Sequence, residues 1–184
     1  MTNLNQLLKW FADKDKVLVS LSGGVDSALV AYAANKKLGK NAIAVTADYK
    51  TLSSEELDSA KLVAHEIGIT HHLIEYSELE NENFVQNDNK RCFYCREELS
   101  KELIKLSNSL GIETIVDGTQ SDDMGDYRPG IDALHGNGIR SPLLEMKFTK
   151  ELVRKTAKYV GLSIYDKPSN SCLASRIPWG QRVT

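Results

Sequence analysis

A chain of 184 residues, 41% apolar and 26% charged, has the length of one domain and the composition of a folded globular protein. Its formal net charge of −2 supplies no global basic field to draw it to nucleic acid or anionic lipid. No apolar run reaches membrane-spanning length, and three cysteines leave one unpaired, which fits a reducing cytoplasm better than a disulfide framework. The opening, Met1 to Trp10, lacks the basic segment, apolar run and cleavage site of a signal peptide.

Short β-branched runs alternate with longer helical patterns. Val17 to Leu21, Ala42 to Thr46, His72 to Glu75 and Thr114 to Val116 read as strands bounded by Gly, Asn or Asp. Between them, Asp26 to Leu38 carries Leu29, Val30, Ala33 and Ala34 on one side and stops at Gly39. Ser54 to Ile67 opens with Ser53 and Glu56 at capping-box spacing and stops at Gly68. Glu97 to Leu110 and Thr149 to Val160 follow, ended by Gly111 and Gly161. The alternation predicts an α/β fold, a Rossmann-like parallel sheet with helices on both faces. Ligands in such sheets bind beyond the carboxyl ends of the strands, where the loops from Ser22, Ala47, Gly118 and Ser141 collect. The polar stretch Glu78 to Lys90 and the Gly-rich stretch Gly125 to Gly138 read as long functional loops.

Directly after the first strand stands Ser22-Gly23-Gly24-Val25-Asp26-Ser27. Paired glycines let the backbone turn tightly and approach an anion, and Ser22 and Ser27 add hydroxyls. The helix that follows points its free N–H groups and positive end at the same place. No Gly-Lys-Ser/Thr is present, so this is not a Walker loop.

From Asp117 to Gly130, four carboxylates (Asp117, Asp122, Asp123 and Asp126) share a Gly-rich segment with Arg128. Carboxylate oxygens suit Mg²⁺, and an arginine offers a planar fork to phosphate or carboxylate. The plainer alternative has Asp122 and Asp123 capping a short helix while Arg128 pairs with a neighbouring acid; for Asp122 the two readings weigh equally. Arg128 and Arg140 both lie in loops beside the predicted site.

Cys92 and Cys95 stand as Arg-Cys-Phe-Tyr-Cys-Arg, and Cys172 stands in Ser-Cys-Leu-Ala-Ser-Arg-Ile-Pro. Alone, Cys-x-x-Cys leaves zinc, a redox pair, an iron–sulfur cluster or buried core thiols open. No thioredoxin-like unit surrounds Cys92. Structural zinc takes four ligands, and although His135 or another histidine could complete a set, none has ligand spacing to a cysteine. Three cysteines suit a 4Fe-4S cluster with one open iron. Buried core thiols would explain Phe93 and Tyr94 but not the flanking Arg91 and Arg96, whose charges would lower a thiol pKa.

The hexapeptide resembles the signature of the PP-loop ATP pyrophosphatases. Lys90 to Leu99, Gly118 to Gly130, Arg140 to Glu145 and Lys167 to Pro178, in that order, are similar to the LarE group of ATP-dependent sulfur transferases within that superfamily. The resemblance implies that Ser22, Gly23, Gly24, Asp26 and Ser27 grip the pyrophosphate of ATP. Ala47 would hold adenine through backbone groups, Gly118 would close the nucleotide pocket, and Asp26 or Asp122 would hold Mg²⁺. Arg128, Arg140 and Arg176 would bind an anionic small-molecule carboxylate, by resemblance a pyridinium dicarboxylate mononucleotide. Adenylation of that carboxylate would be followed by sulfur transfer from Cys92, Cys95 and Cys172. These three would either hold a 4Fe-4S cluster fed by a sulfide source or leave Cys172 to give up its own sulfur; the full set of three favours the cluster. The group's chains continue past the segment matching Ile177 to Gly180, so a single domain over residues 1 to 184, without that extension, is expected, as is a homo-oligomer. Rival readings are a tRNA-thiolation enzyme, an ammonia-using ligase with structural cysteines, and a nucleotide-binding module without catalysis.

Overall fold

The computed structural model describes residues 2–125 and 127–184. Four strands, β1 (Val17–Ser20), β2 (Ala42–Tyr49), β3 (Thr70–Tyr76) and β4 (Thr114–Val116), form one parallel sheet in the order β3-β2-β1-β4. Leu18 lies opposite Ile43 on one side and Ile115 on the other. The helices are α1 (Asn3–Trp10), α2 (Val25–Leu38), α3 (Ser54–Ile67), α4 (Glu82–Val85), α5 (Arg91–Leu110), α6 (Pro129–Gly136), α7 (Pro142–Glu145) and α8 (Lys150–Tyr159). No helix among the described residues is long and apolar enough to cross a membrane.

Strand periodicity splits the core in two. Val17 and Val19 pack with Leu7 of α1, Leu29 of α2, Val63 of α3 and Val153 of α8. Leu18, between them, faces the other way and joins Leu99 and Leu103 of α5 and Leu134 of α6. Both faces of the sheet are therefore covered, as the alternation predicts. Caps set the helix ends: Ser53 Oγ accepts from Glu56 N at 3.3 Å, and Thr149 Oγ1 accepts from Leu152 N at 3.2 Å.

Three expectations need correction. The helix carrying the cysteine pair opens at Arg91 rather than Glu97, so Cys92 sits in its first turn. The stretch expected to be a loop from Glu78 to Lys90 contains α4, capped by the Asn81 side chain and seated on buried Phe84 and Val85. The Gly-rich stretch contains α6, whose Pro129 occupies the first helical turn and starts the helix in spite of the glycines around it. Helix α1, capped by Thr2 and burying Leu7 and Trp10, adds an element that the strand–helix pattern did not predict.

Because β1 pairs with β2 on one side and β4 on the other, chain direction diverges at the β1/β4 edge, where open α/β sheets bind ligands. There the exit of β4 touches the start of α2. A Cβ on Gly118 would lie 2.6 Å from Ser27 N and 2.9 Å from its Cα, both backbone atoms that cannot swing aside. Gly118→Ala is expected to lower stability by about 1–3 kcal/mol through overpacking. Urea unfolding checks this, and an unchanged midpoint would show that the two backbones are free to separate.

Candidate nucleotide and thiol site

The hexapeptide leaves β1 through one further ladder bond, Leu21 N donating to Val45 O at 2.8 Å. Gly23 has φ +88°, and a Cβ there would lie 2.3 Å from the carbonyl oxygen of Glu56, so no other residue fits. Ser27 Oγ accepts from Ser22 N at 3.0 Å and lies 3.1 Å from Ser22 Oγ, which ties the turn to itself. Gly24 precedes α2 without a side-chain cap among the described residues, so the helix meets the loop with its first N–H groups uncapped. The outward carbonyl of Gly23 accepts from Ser59 Oγ at 2.8 Å and from Lys167 Nζ at 3.0 Å.

Two cavities of roughly 310 Å³ each adjoin this loop and share Ser22, Gly24, Asp26, Arg96 and Arg128. The first extends past Gly118 and Asp123 to Cys92. The second runs under Tyr49 and Lys167 to Cys172. Asp26 stands at their junction. Its Oδ2 accepts from Lys150 Nζ at 2.6 Å, while its Oδ1 is buried with no partner among the described residues. Burial raises the Asp26 pKa above the usual carboxylate value, and Lys150 opposes that shift.

All three thiols are free. Cys95 and Cys172 are half-buried and pack on one small core of Phe84, Val85, Ala174 and Val183, while Cys92 is exposed. Burial pushes the Cys95 thiol up to about 11, against the pull of Arg96 and with Cys172, Glu78 and Cys92 adding to the rise. The expectation that the flanking arginines give a lowered thiol is therefore overturned at Cys95, where desolvation wins. Arg91 serves elsewhere: its Nη1 donates to Asn87 Oδ1 at 2.7 Å and to Ala174 O at 2.9 Å. Arg96 faces the site. Its own burial favours loss of the proton, but Tyr49, Cys95, Tyr76 and Asp117 outweigh it and hold the guanidinium charged. Among the described residues no three Cys, His, Asp or Glu side chains converge on a point that could hold one metal ion.

The predicted residues divide clearly. Ser22, Gly24, Asp26, Ser27, Gly118 and Arg128 line the cavities, and Gly23 shapes the turn. Ala47 is buried on β2 opposite Ile74 and outside both cavities; Tyr49, further along that strand, lines the second. Asp122 accepts from Lys150 N at 2.9 Å at the start of α8, the capping alternative, and Asp123 lines the cavity in its place. Arg128 Nη1 lies 3.8 Å from Asp123 Oδ1. Arg140 departs from expectation: its Nε and Nη2 donate to Glu145 at 3.1 and 2.7 Å, and it lies 4.7 Å from the Trp10 ring centre, outside both cavities. Arg176 is exposed and also outside them. Asp126 lies outside the described residues. Sequence reasoning missed Arg96, Lys150 and Lys167 as lining groups, and Glu56, read as a capping residue, turns its carboxylate to Lys167 Nζ at 2.7 Å.

Fold and loop together define an α/β protein with an open, uncapped helix start at its sheet edge. The asparagine synthase family pattern matches residues 11–100. Over 183 residues the chain is 43% identical to the uncharacterized protein slr1717 of Synechocystis sp., covering 100% of this chain and 68% of the relative. It is 32% identical over 173 residues to pyridinium-3,5-bisthiocarboxylic acid mononucleotide synthase of Lactiplantibacillus plantarum, covering 94% of this chain and 63% of that enzyme. Among solved structures, the NMN synthetase of Francisella tularensis superposes with a TM-score of 0.74 at 20% identity, covering 91% of this chain and 74% of that one. The chain carries a PP-loop ATP pyrophosphatase-family domain, and within that superfamily it is similar to the LarE-type synthase.

The Cys95 environment has a measurable consequence. Its folded-state value of about 11 exceeds the ordinary 9.0, so the native state holds the proton longer than the unfolded chain does. The resulting stabilisation is complete below pH 9.0 and is lost as pH rises toward about 11. In the wild-type chain, the alkylation rate of Cys95, resolved from the other thiols by peptide mass spectrometry, is expected to inflect near pH 11, and an inflection at or below 9.0 would refute the desolvated thiol.

Proposed function

We propose that the chain is an ATP-dependent sulfur transferase that adenylates a carboxylate of a small anionic acid and then replaces AMP with sulfur at the Cys92, Cys95 and Cys172 site. The observation that carries this reading is the pair of adjoining cavities: both open on the nucleotide loop, one reaches Cys92 and the other reaches Cys172. The L. plantarum relative is by name a synthase of a thiocarboxylic acid mononucleotide, which supports a pyridinium dicarboxylate mononucleotide as the substrate.

In the first step a carboxylate oxygen attacks the α-phosphorus of ATP, and pyrophosphate leaves as the phosphoric–carboxylic anhydride forms. The Ser22–Ser27 turn and the start of α2 receive the departing pyrophosphate. Asp26, with its unpartnered Oδ1 beside them, fits Mg²⁺, which would neutralise phosphate charge. Arg96 and Arg128, shared by both cavities, hold the anion as charge moves from carboxylate to phosphate. In the second step a sulfur nucleophile forms a bond to the acyl carbon, and the C–O bond to AMP breaks. Splitting the substitution in this way makes a poor electrophile reactive before sulfur arrives.

Three unpaired thiols, two of them on one small apolar core, are a donor set suited to a 4Fe-4S cluster. Each cysteine would ligate its own iron, so no convergence on a single point is required. Such a cluster, held by Cys92, Cys95 and Cys172, would supply a transferable sulfide. Unpaired thiols also suit a reducing compartment, where we place the protein.

Incubated with ATP and the pyridinium dicarboxylate mononucleotide, Cys172→Ala is expected to release pyrophosphate yet yield no thiocarboxylate. Arg96→Gln should lower kcat/KM by about 10²-fold, the scale of one lost charge-stabilising donor. Coupled pyrophosphate release and product mass check both. Anaerobic protein should hold about four irons per chain. Iron-free protein that loses the mass of H₂S in one turnover would move the sulfur source to Cys172 itself. Wild-type thiocarboxylate formation by Cys172→Ala would remove Cys172 from the sulfur chemistry, and an amide formed from ammonia in place of the thiocarboxylate would favour a ligase.

A further inference from the structure

We infer that Asn87 and Arg91 form a positioning clamp that fixes the Cys172 segment against the helix carrying Cys92 and Cys95. Asn87 is fully buried and adopts φ +57°, a conformation that asparagine tolerates better than most residues. Its Nδ2 donates to Pro178 O and Gln181 O, both at 2.8 Å, and lies 3.4 Å from Ile177 O. Its backbone carbonyl accepts from Gly180 N at 3.0 Å. One side chain thus adds to a turn whose own backbone bond is Gln181 N donating to Pro178 O at 3.1 Å.

Arg91 completes the grip. It is 5% exposed, has no carboxylate partner among the described residues, and lies 4.7 Å from the Trp179 ring centre. Its Nη1 joins Asn87 Oδ1 to Ala174 O. Arg91 immediately precedes Cys92, and Ala174 stands two places after Cys172, so one guanidinium couples the positions of the early and late thiols. From the opposite side, Leu173 N donates to Thr51 O at 3.0 Å. The Thr51 turn is itself held by buried Glu78, whose Oε1 and Oε2 accept from Thr51 N and Lys50 N at 2.6 and 2.9 Å. The backbone around Cys172 is therefore hydrogen-bonded on both sides by groups that touch no nucleotide cavity.

The inference rests on the sulfur-transfer reading for its importance, but its test does not. Asn87→Gly keeps the positive φ and removes the amide; Asn87→Asp keeps the volume and the Arg91 contact but turns a donor into an acceptor facing three carbonyls. Iodoacetamide labelling of the full chain, resolved thiol by thiol by peptide mass spectrometry, reads the position of the late segment. Both variants are expected to label Cys172 at least about tenfold faster, the scale of losing two or three buried hydrogen bonds, with the Cys92 rate unchanged. Arg91→Lys, whose amine ends one bond short of the Nη1 that bridges Asn87 and Ala174, should show the same selective gain. Unchanged Cys172 labelling in all three variants overturns the clamp. So does an equal rise at every thiol, which would assign these residues to general stability. A silent Asn87→Asp beside a reactive Asn87→Gly would likewise overturn it, because packing volume rather than the donor would then hold the segment.

Discussion

The carbonyl of Gly23 is the atom on which the site depends. It belongs to the turn between β1 and α2, and it accepts both the Ser59 hydroxyl of α3 and the Lys167 ammonium. Lys167 also bonds Glu56, which in turn accepts from Asn170 Nδ2 at 2.8 Å. The backbone of Glu56 fills the space where a Gly23 side chain would go. Three segments far apart in sequence therefore meet at one peptide group. The Lys167–Glu56 pair is mostly shielded, its side chains 14% and 15% exposed, so removing either partner strands a charge at a cost of about 3–5 kcal/mol. The same pair that holds the nucleotide turn also fixes the start of the segment leading to Cys172.

Charge around the loop differs from the charge of the whole molecule. A net −2 would repel an anionic substrate, yet Arg96, Arg128, Lys150 and Lys167 all line the cavities beside the hexapeptide. Asp26, Asp123 and Glu56 pair with some of them and keep the cations oriented. Arg96 is different: its neighbours are tyrosines, a thiol and Asp117, so its charge is less quenched than that of the paired lysines. That arrangement suits a group that must receive charge during a reaction rather than hold it at rest. It also sets a condition on the sulfur. Cys95 is kept neutral by burial, and metal ligation needs thiolate, so any cluster at this site competes directly with a proton.

Much of this was legible in the sequence, and the failures share a cause. The four strands follow from β-branched runs ended by turn residues, and α2 and α3 from apolar spacing with a glycine stop. The hexapeptide's turn follows from glycine and helix-end chemistry that is local to six residues. Where a contact is remote, local reading failed. Nothing near Arg140 announces that Trp10 will lie over its guanidinium, although Glu145 five places on was a visible partner. Arg91 looked like a thiolate stabiliser because its sequence neighbours are cysteines, whereas its bonds go to Asn87 and Ala174. Two short helices hid in stretches read as loops because their composition is polar or glycine-rich. Asn81 ahead of α4 and Pro129 in α6 were the available signals.

Placing the cysteine pair at a helix start changes the meaning of its spacing. Residues three apart on a helix share a face, so Cys92 and Cys95 present neighbouring positions rather than opposite ones. Their surroundings still differ: Cys92 is exposed toward the first cavity, and Cys95 sits a turn deeper on the Phe84 core. The third thiol reaches that core from another part of the chain. Upstream it is fixed through Lys167 to the nucleotide turn, and downstream through Arg91 to the helix of the pair. A thiol held at both ends cannot drift from the nucleotide without straining its contact with the other two. The geometry thus couples the distance between the Gly23 turn and the Cys172 segment to the distances among the thiols, so that a single placement of that segment sets both.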